Sequence, residues 1–484
     1  MNLFRNYYTQ FSTFKSKLIV NSFWGVAANL LQNILFSVFF IIVARVYNPT
    51  DFSSYILANT IYGLLLAFSS LGLGQWFVRR LLEDIDKERL IHQFFKLQFI
   101  IGVAFYLLIM VTTWMLYKDH LVRQLSLIIG INILFDNIIY VIKHVNIAQM
   151  DQKKTFLIQT IEAVLKFILG LVVVVFPVSM VTLALIIITL RFITLNVFIS
   201  LGTSFPVRIA YLLKVKIDTK VIKEIVSDNW PFIVIGSMSV LYWKIGNLFI
   251  ANYLSLKEVS HYEISYKLFS MAEIIPVIVS SSVFPVLLKK LNEDKTAAMK
   301  FYNKVFMAYT LYGLLSFTFI NSFAEQIIPF LFGSKYIITA KYCKEMFFTI
   351  LIFPTAILQA NLIISLHREK IDMWLNILSL LLNIVLSLIG LYFLKSITAI
   401  NLAIFISFLL FHLLQDHVLI RLNMLTFKVS LLFYLALFAA LCIYYSALFY
   451  FIPIIAFGLF WACLSLVIGY YIHLQSKRQV SRAI

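Results

Sequence analysis

The fold class predicted by the sequence is an all-α polytopic membrane protein with about 14 transmembrane helices, and three observations predict it. Of 484 residues, 62% are hydrophobic and only 13% charged, about half the ~25% charge of an ordinary soluble domain. The mean hydropathy of +0.93 is spread from about residue 18 to residue 474, in runs near the ~20 apolar residues a helix needs to cross a bilayer core. The basic residues behind the net charge of +18 gather between those runs, where they set topology and meet anionic lipid headgroups. Nucleic acid is therefore excluded as a partner, and membrane lipids are expected in its place. Cys343, Cys442 and Cys463 are too few and too scattered for a disulfide framework.

The spans read, in order, 18–44, 53–78, 95–116, 121–145, 155–176, 178–202, 228–253, 259–287, 305–323, 342–364, 371–394, 396–420, 429–450 and 454–474. Twelve or thirteen remain open as counts. Phe176-Pro177 and Phe451-Ile452-Pro453 divide long apolar runs, because proline cannot continue the helical ladder.

With residues 1–17 on the cytoplasmic side, most Lys and Arg fall in the cytoplasmic connections, as the positive-inside rule requires. Both termini are then cytoplasmic, the last carrying Ser476-Lys477-Arg478. The first run is too long for a signal-peptide core and is read as a retained helix. Three cytoplasmic connections, Arg79 to Phe94, Thr203 to Ser227 and Leu288 to Lys304, alternate charge with apolar residues as interfacial helices do. The largest outer connection, Ala324 to Lys341, contains Pro329, Phe330 and Gly333.

An internal repeat divides the chain. Asp51-Phe52-Ser53-Ser54-Tyr55 recurs as Glu258-Val259-Ser260-His261-Tyr262: acidic, apolar, Ser, any residue, Tyr. Each copy leads into one long span ending in a basic pair, Arg79-Arg80 or Lys289-Lys290. The organisation that follows is an N-terminal segment 1–17, a six-helix bundle 18–226, a parallel six-helix bundle 227–428, two further helices 429–474 and a tail 475–484.

On these features the chain resembles the polysaccharide flippase family, which handles O-antigen and capsule repeat units within the multidrug/oligosaccharidyl-lipid/polysaccharide exporter superfamily. The likeness runs through nearly the whole chain. It rests on Asn21 to Asn33, Ala44-Arg45, Pro49 to Tyr55, Ser70-Leu71-Gly72-Leu73, Tyr262 to Lys267, Phe284 to Lys289 and Phe332 to Tyr336. Two departures stand out. The family often has Gly where Ser54 and His261 precede Tyr, and an acidic residue in the seventh span where this chain has Lys244-Ile245-Gly246; an ion-coupling role tied to that acid does not carry over.

Polar stripes at helical spacing mark wet or hydrogen-bonded faces. The first span carries Ser22, Gly25, Asn29, Asn33 and Ser37; the fourth Asn132, Asp136, Tyr140 and Lys143; the fifth Gln159, Glu162 and Lys166. The seventh carries Ser237, Lys244 and Asn247; the eighth Glu263, Lys267, Ser270 and Glu273; the eleventh Asn376, Ser379, Asn383 and Ser387. Interhelical packing through hydrogen bonds is the bland reading of such stripes. A charge at a helix centre costs roughly 2.5–3.5 kcal/mol even on insertion scales, so it needs compensation. Glu162 with Lys166 and Glu263 with Lys267 can neutralise each other one turn apart, and Arg191 can reach Glu162 from the next span. Lys244 has no acid one turn away on its own helix and is the leading substrate-contact residue. Asp416, between His412 and His417, is read as interfacial. Gly72, Gly74, Pro276 and Pro354 are candidate bends, although packing is the commoner use of glycine.

The resemblance implies a V-shaped exporter that moves a polyprenyl-pyrophosphate-linked oligosaccharide, an O-antigen or similar lipopolysaccharide unit, between leaflets of a bacterial inner membrane by alternating access. Lys244, Lys267, Arg191, Lys166 and Arg45 would suit the pyrophosphate, and Asn29, Asn33 and Asn247 the sugar hydroxyls. A polysaccharide polymerase and a chain-length regulator are the protein partners implied. No phosphate-binding loop is present, so no cofactor is expected. Proton or sodium coupling remains, with Glu263, Glu273 and Asp136 as candidates. No metal site is expected, because the histidines lack ligand spacing. A drug antiporter of the same fold would prefer an acidic, aromatic cavity. A peptidoglycan-precursor flippase has the same headgroup chemistry. A polymerase or glycosyltransferase is disfavoured because the large outer connection has Glu325 as its single acid.

Overall fold

The computed structural model describes residues 30–70, 72–83, 86–203 and 237–483. Among them every regular element is helical. Asn29, the earlier part of the first span and nearly all of the Thr203 to Ser227 connection lie outside the described residues. The elements are α1 (Leu30–Val46), α2 (Pro49–Ser69), α3 (Leu73–Glu83), α4 (Lys87–Leu116), α5 (His120–Gly130), α6 (Asn132–Ala148), α7 (Gln152–Val175) and α8 (Met180–Leu201). They continue as α9 (237–253), α10 (Leu256–Glu293), α11 (Lys295–Phe332), α12 (Thr339–Met346), α13 (Phe353–Ser365), α14 (Glu369–Leu394), α15 (Ile397–Arg421), α16 (Phe427–Tyr450) and α17 (Pro453–Ala483).

Eleven helices among the described residues are long and apolar enough to cross a membrane, with two shorter apolar stretches, Leu30–Val46 and Pro453–Val467. These helices and α9 fall within the fourteen expected ranges, eleven of them qualifying as spans, and the chain is a multi-pass membrane protein. The surface is inverted relative to a soluble fold. On α14, Leu378, Leu381, Val385 and Ile389 are exposed while Ser379, Asn383 and Ser387 are buried. Ser379 Oγ donates to the Ser407 carbonyl of α15 at 3.2 Å and Ser387 Oγ to Asn383 Oδ1 at 3.1 Å. Ser379 thus joins α14 to α15, while Ser387 and Asn383 bond along α14 itself.

Local chemistry sets the helix ends. Asn48 caps α2, its Oδ1 accepting from the Asp51 N–H at 2.8 Å ahead of Pro49 in the first turn. Asp119, Ser179, Asp294, Ser396 and Thr426 cap later helices in the same way. Phe176-Pro177 separates α7 from α8, and α17 starts on Pro453, as the prolines require.

Two expectations change in detail. The second span divides into α2 and α3 at Gly72, whose φ of 58° lies where a side chain is strained. The tenth span is interrupted between α12 and α13, where Pro354 begins a new helix. The Arg79 to Phe94 connection takes in the end of the short helix α3 and the first turns of α4, and the Leu288 to Lys304 connection the end of α10 and the start of α11. Pro276 stays within α10. Lacking an N–H, it leaves the Ala272 carbonyl without its usual donor, and the Tyr312 hydroxyl of α11 donates to that carbonyl at 2.6 Å.

Residues divide into two compact units, Met1–Glu263 and Ile264–Ile484. The division falls inside α10, beyond residue 227 where the repeat places the second bundle's start. In the first unit a core of Leu73, Phe77, Phe94, Phe95, Ile139 and Ile142 joins α3, α4 and α6. Gly74 makes the contact possible, since a Cβ there would lie 1.9 Å from His144 Nε2. In the second unit a core of Leu287, Tyr302, Tyr309, Leu358, Leu362 and Leu419 joins α10, α11, α13 and α15.

Candidate functional site

The first unit holds two polar clusters inside spanning helices. The first is built on Arg191 of α8, whose guanidinium lies between two carboxylates. Its Nε donates to Asp136 Oδ1 of α6 at 2.8 Å, and Nη1 reaches Glu162 of α7. Glu162 is 3% exposed and also accepts the Lys166 ammonium at 2.7 Å. The Tyr62 hydroxyl of α2 donates to Asp136. Lys166 Nζ also lies 5.1 Å from the centre of the Phe36 ring of α1. The i,i+4 spacing of Glu162 and Lys166 and the reach of Arg191 to Glu162 are both realised.

Lys143, two turns beyond Asp136 on α6, is half-buried and within electrostatic range of Arg191, Asp136 and Glu162. It has no ion-pair partner among the described residues. Three cations thus face two carboxylates, a local surplus of one positive charge. The fourth stripe contained Lys143, but spacing alone did not distinguish it from a snorkelling lysine.

The second cluster lies on the other side of α2. Asn247 of α9 is fully buried and donates through Nδ2 to Thr60 Oγ1 at 2.9 Å and to Glu263 Oε2 at 2.7 Å. Glu263 also receives the Lys244 ammonium. Lys244 therefore does have an acidic partner, supplied by α10 across the helix packing. Thr60 and Tyr62 stand two positions apart on α2, so their side chains leave it in roughly opposite directions and each serves one cluster.

The remaining expected residues are dispersed. Arg45 and Asn33 are exposed, and Lys267 and Glu273 are half-buried on the part of α10 that belongs to the second unit. On α1, Gln32 Nε2, outside the first stripe, donates to Gln159 Oε1 of α7 at 3.2 Å, and Ser37 Oγ of the stripe bonds back to the Asn33 carbonyl at 2.6 Å. Asp136 and Glu263 are held as counter-ions. Among the described residues no group of three His, Cys, Asp or Glu side chains is placed to hold a metal ion.

One cluster in the second unit adds to the sequence reading. Asp416 is 4% exposed, covered by neighbouring helices rather than solvated. Gln359 Nε2 of α13 donates to its Oδ1 at 2.5 Å, and Ser430 Oγ and Tyr434 OH of α16 approach its Oδ2 at 2.6 and 3.0 Å. His412, one turn earlier on α15, is fully buried, whereas His417 is exposed. The signal was present as His-x-x-x-Asp within an apolar run; its position near a helix end obscured it.

Among the described residues the chain is a multi-pass helical membrane protein with charged clusters buried in its spans, and comparisons narrow it further. A family described as polysaccharide biosynthesis protein matches residues 42–341, more than half of the chain. The chain belongs to that family. No curated protein matches it in sequence. Among solved structures, the lipid II flippase MurJ in an inward closed conformation is 15% identical, with a TM-score of 0.69 over 94% of this chain and 99% of that one. An inward-facing multidrug resistance MATE family transporter of the MOP superfamily is 13% identical, with a TM-score of 0.66 over 82% and 96%. A MOP superfamily transporter from Pyrococcus furiosus, described by a reversed polarity of its binding pocket, is 14% identical, with a TM-score of 0.51 over 84% and 94%. At these identities the likeness is one of fold, which the chain shares with the MOP superfamily.

Proposed function

We propose that the protein is a flippase that carries a polyprenyl-pyrophosphate-linked oligosaccharide, an O-antigen or similar surface-polysaccharide unit, from the cytoplasmic to the outer leaflet. The observation that carries this reading is the charge surplus in the first unit: Lys143 adds a third cation to a cluster whose other four charges cancel. An unbalanced cation inside a span is costly, and an anionic pyrophosphate is the kind of ligand that offsets it. Membership of a polysaccharide biosynthesis family and the MOP fold support the same direction.

In this reading Lys143, Lys166 and Arg191, with Lys244 and Lys267, receive the pyrophosphate during passage, while Asn247 and other amides meet the sugar. The lipid tail stays in the bilayer. Movement is by alternating access, coupled to a proton or sodium ion through Glu263, Glu273 or Asp136. The protein sits in the inner membrane with both termini cytoplasmic and works beside a polymerase and a chain-length regulator. A peptidoglycan precursor is a second reading, favoured by the 94% of this chain that aligns with MurJ.

Deleting the protein and identifying the lipid-linked glycan that accumulates separates these readings. Build-up of an oligosaccharide unit on the cytoplasmic leaflet supports the proposal. Build-up of a peptidoglycan precursor there supports the second reading, and single units already facing outward point to a polymerase.

A further inference from the structure

Asp416 is a buried carboxylate whose hydrogen bonds all come from neutral groups. The Ile352 carbonyl already accepts from the Ala356 N–H at 2.9 Å, so the Thr355 hydroxyl is free to donate to His412 Nε2 at 2.9 Å. His412 Nδ1–H then donates to the Tyr434 oxygen at 2.6 Å, and the Tyr434 hydroxyl to Asp416 Oδ2 at 3.0 Å. With Gln359 Nε2 on Oδ1 and Ser430 Oγ on Oδ2, every contact is met by a neutral imidazole and an ionised carboxylate. Three of the carboxylate's roughly four acceptor positions are then filled. Among the described residues no Lys or Arg pairs with Asp416. It is a negative charge at a helix end for which the chain supplies no counter-charge, and such a charge is costly.

A cavity of about 30 Å³ lies against that charge, room for one group the size of a water molecule. Asp416, Ser430 and Tyr302 line it together with Asn303 and two aromatic residues, Phe306 and Phe433, whose rings are 5.0 Å apart. The Tyr302 hydroxyl, on a residue 2% exposed, has no hydrogen-bond partner. Ser430 gives its proton to Asp416 and keeps its lone pairs. Asp416, Tyr302 and Ser430 therefore offer three oxygen acceptors around one small space, and the faces of aromatic rings attract cations. A primary ammonium matches all of this: it has three N–H donors, one positive charge and about the size of a water.

The mouth of the cavity decides which ammonium. Two of its lining residues, Asn303 of α11 and Val429 of α16, are exposed, so it opens between these helices. The opening faces lipid: Val429, Leu431, Leu432 and Leu435 of α16 are exposed, and Ser430 and Tyr444 are that helix's buried residues. Val429 stands in the first turn of α16, just past the Thr426 cap, which puts the mouth near headgroup depth. Lys304 and Lys428, next in sequence to Asn303 and Val429, are both exposed. Two lysines beside the mouth repel a bare cation and suit a phosphate. An anion inside and cations at the rim reproduce, with opposite sign, the order of charges in a zwitterionic lipid headgroup.

We propose that this cavity binds the headgroup of a membrane phospholipid with a primary amine, of the phosphatidylethanolamine type. Its ammonium sits against Asp416, Tyr302 and Ser430, and its phosphate stays at the rim with Lys304 and Lys428. The bound headgroup supplies the counter-charge that Asp416 lacks and ties α11, α15 and α16 together. Phosphatidylcholine fits poorly, because its trimethylated ammonium has no N–H to donate and is larger than the cavity. Phosphatidylglycerol has no ammonium at all. The site goes beyond the flippase reading and does not depend on it.

The test is native mass spectrometry of the full-length protein, delipidated in detergent and titrated with phosphatidylethanolamine, phosphatidylcholine or phosphatidylglycerol of the same acyl chains. The expected result is a first phosphatidylethanolamine bound about tenfold more tightly than either other lipid, the effect of one charge-assisted hydrogen bond. That preference should disappear in Asp416→Asn. Tyr302→Phe removes a hydroxyl that has no partner, so it should fold normally and reduce the preference about threefold. Equal affinities for phosphatidylethanolamine and phosphatidylcholine in the unsubstituted protein overturn the proposal, and so does a preference that survives Asp416→Asn. If the three lipids bind alike while sodium stabilises the lipid-free protein through Asp416, the cavity is an inorganic cation site instead. If Asp416→Asn does not fold, Tyr302→Phe decides alone, and an unchanged preference there overturns the proposal. No lipid-linked glycan enters the measurement, so a failed transport assay leaves its outcome untouched.

Discussion

Ser53 and Ser260 hold the same place in the repeated acidic, apolar, Ser, any, Tyr pattern, 207 positions apart, and they are hydrogen-bonded to each other. The Ser260 N–H donates to Ser53 Oγ at 3.0 Å, and Ser53 Oγ in turn donates to the Lys257 carbonyl at 3.3 Å. The first turns of α2 and α10 are therefore in contact through these two serines. Both residues are buried.

Replacing Ser53 by Ala removes its bridge between the Ser260 N–H and the Lys257 carbonyl, although Ser260 keeps its helical position. The expected cost is about 0.5–1.5 kcal/mol, read as an earlier unfolding transition in detergent. Ser54→Ala, whose hydroxyl bonds only back to the Thr50 carbonyl of its own helix, should cost less. Equal effects would show that the contact between the copies contributes nothing of its own.

Arg191 joins two carboxylates, so its loss leaves both uncompensated. Arg191→Met should destabilise by about 3–5 kcal/mol, as for other broken buried pairs. Lys166→Met, which leaves Glu162 still bound to Arg191, should cost distinctly less. Chemical unfolding of the purified variants orders the two.

Lys244→Ala should abolish surface-glycan export, but it also leaves Glu263 without its ammonium. Lys244→Ala combined with Glu263→Gln removes that complication. If folding recovers in the double variant and export does not, Lys244 acts on the substrate. If both recover, the pair is structural.

Lys143→Ala should reduce export with little loss of stability, since no ion pair is broken. Lys143→Arg, which keeps the charge, should retain most of the export. Export assays paired with unfolding curves check both halves.

Gly74→Ala forces a Cβ against the His144 ring. Overpacking of this kind costs roughly 1–3 kcal/mol. His144→Ala in the same chain should relieve it, visible as a thermal transition restored towards that of His144→Ala alone.

The spans, their order and the proline-divided hairpins were legible in the sequence because each follows from local chemistry, and the caps seen in the structure are of the same local kind. A bilayer demands its apolar length from consecutive residues, and Asn48, Ser179 or Pro453 act within one turn of where they stand. The same locality made Glu162 and Lys166 readable as a pair. It failed for Glu263, because the ammonium it binds comes from a helix 19 positions back. The covering of Asp416 was not legible because a boundary read from hydropathy does not show that α13 and α16 pack over it.

The sequence by itself determined that this chain is a many-spanning helical membrane protein with two echoing halves and more intramembrane cations than its nearby acids neutralise. Only the tertiary structure decided which charges cancel: Arg191 between Asp136 and Glu162, Lys244 on Glu263, and Lys143 left in surplus. It also showed that His412 and Asp416 are buried and that Tyr434 contacts both. The physical reason is that the cost of an intramembrane charge depends on atoms within a few ångströms, and in a helical bundle those atoms come from other helices whose rotation and depth no linear pattern specifies.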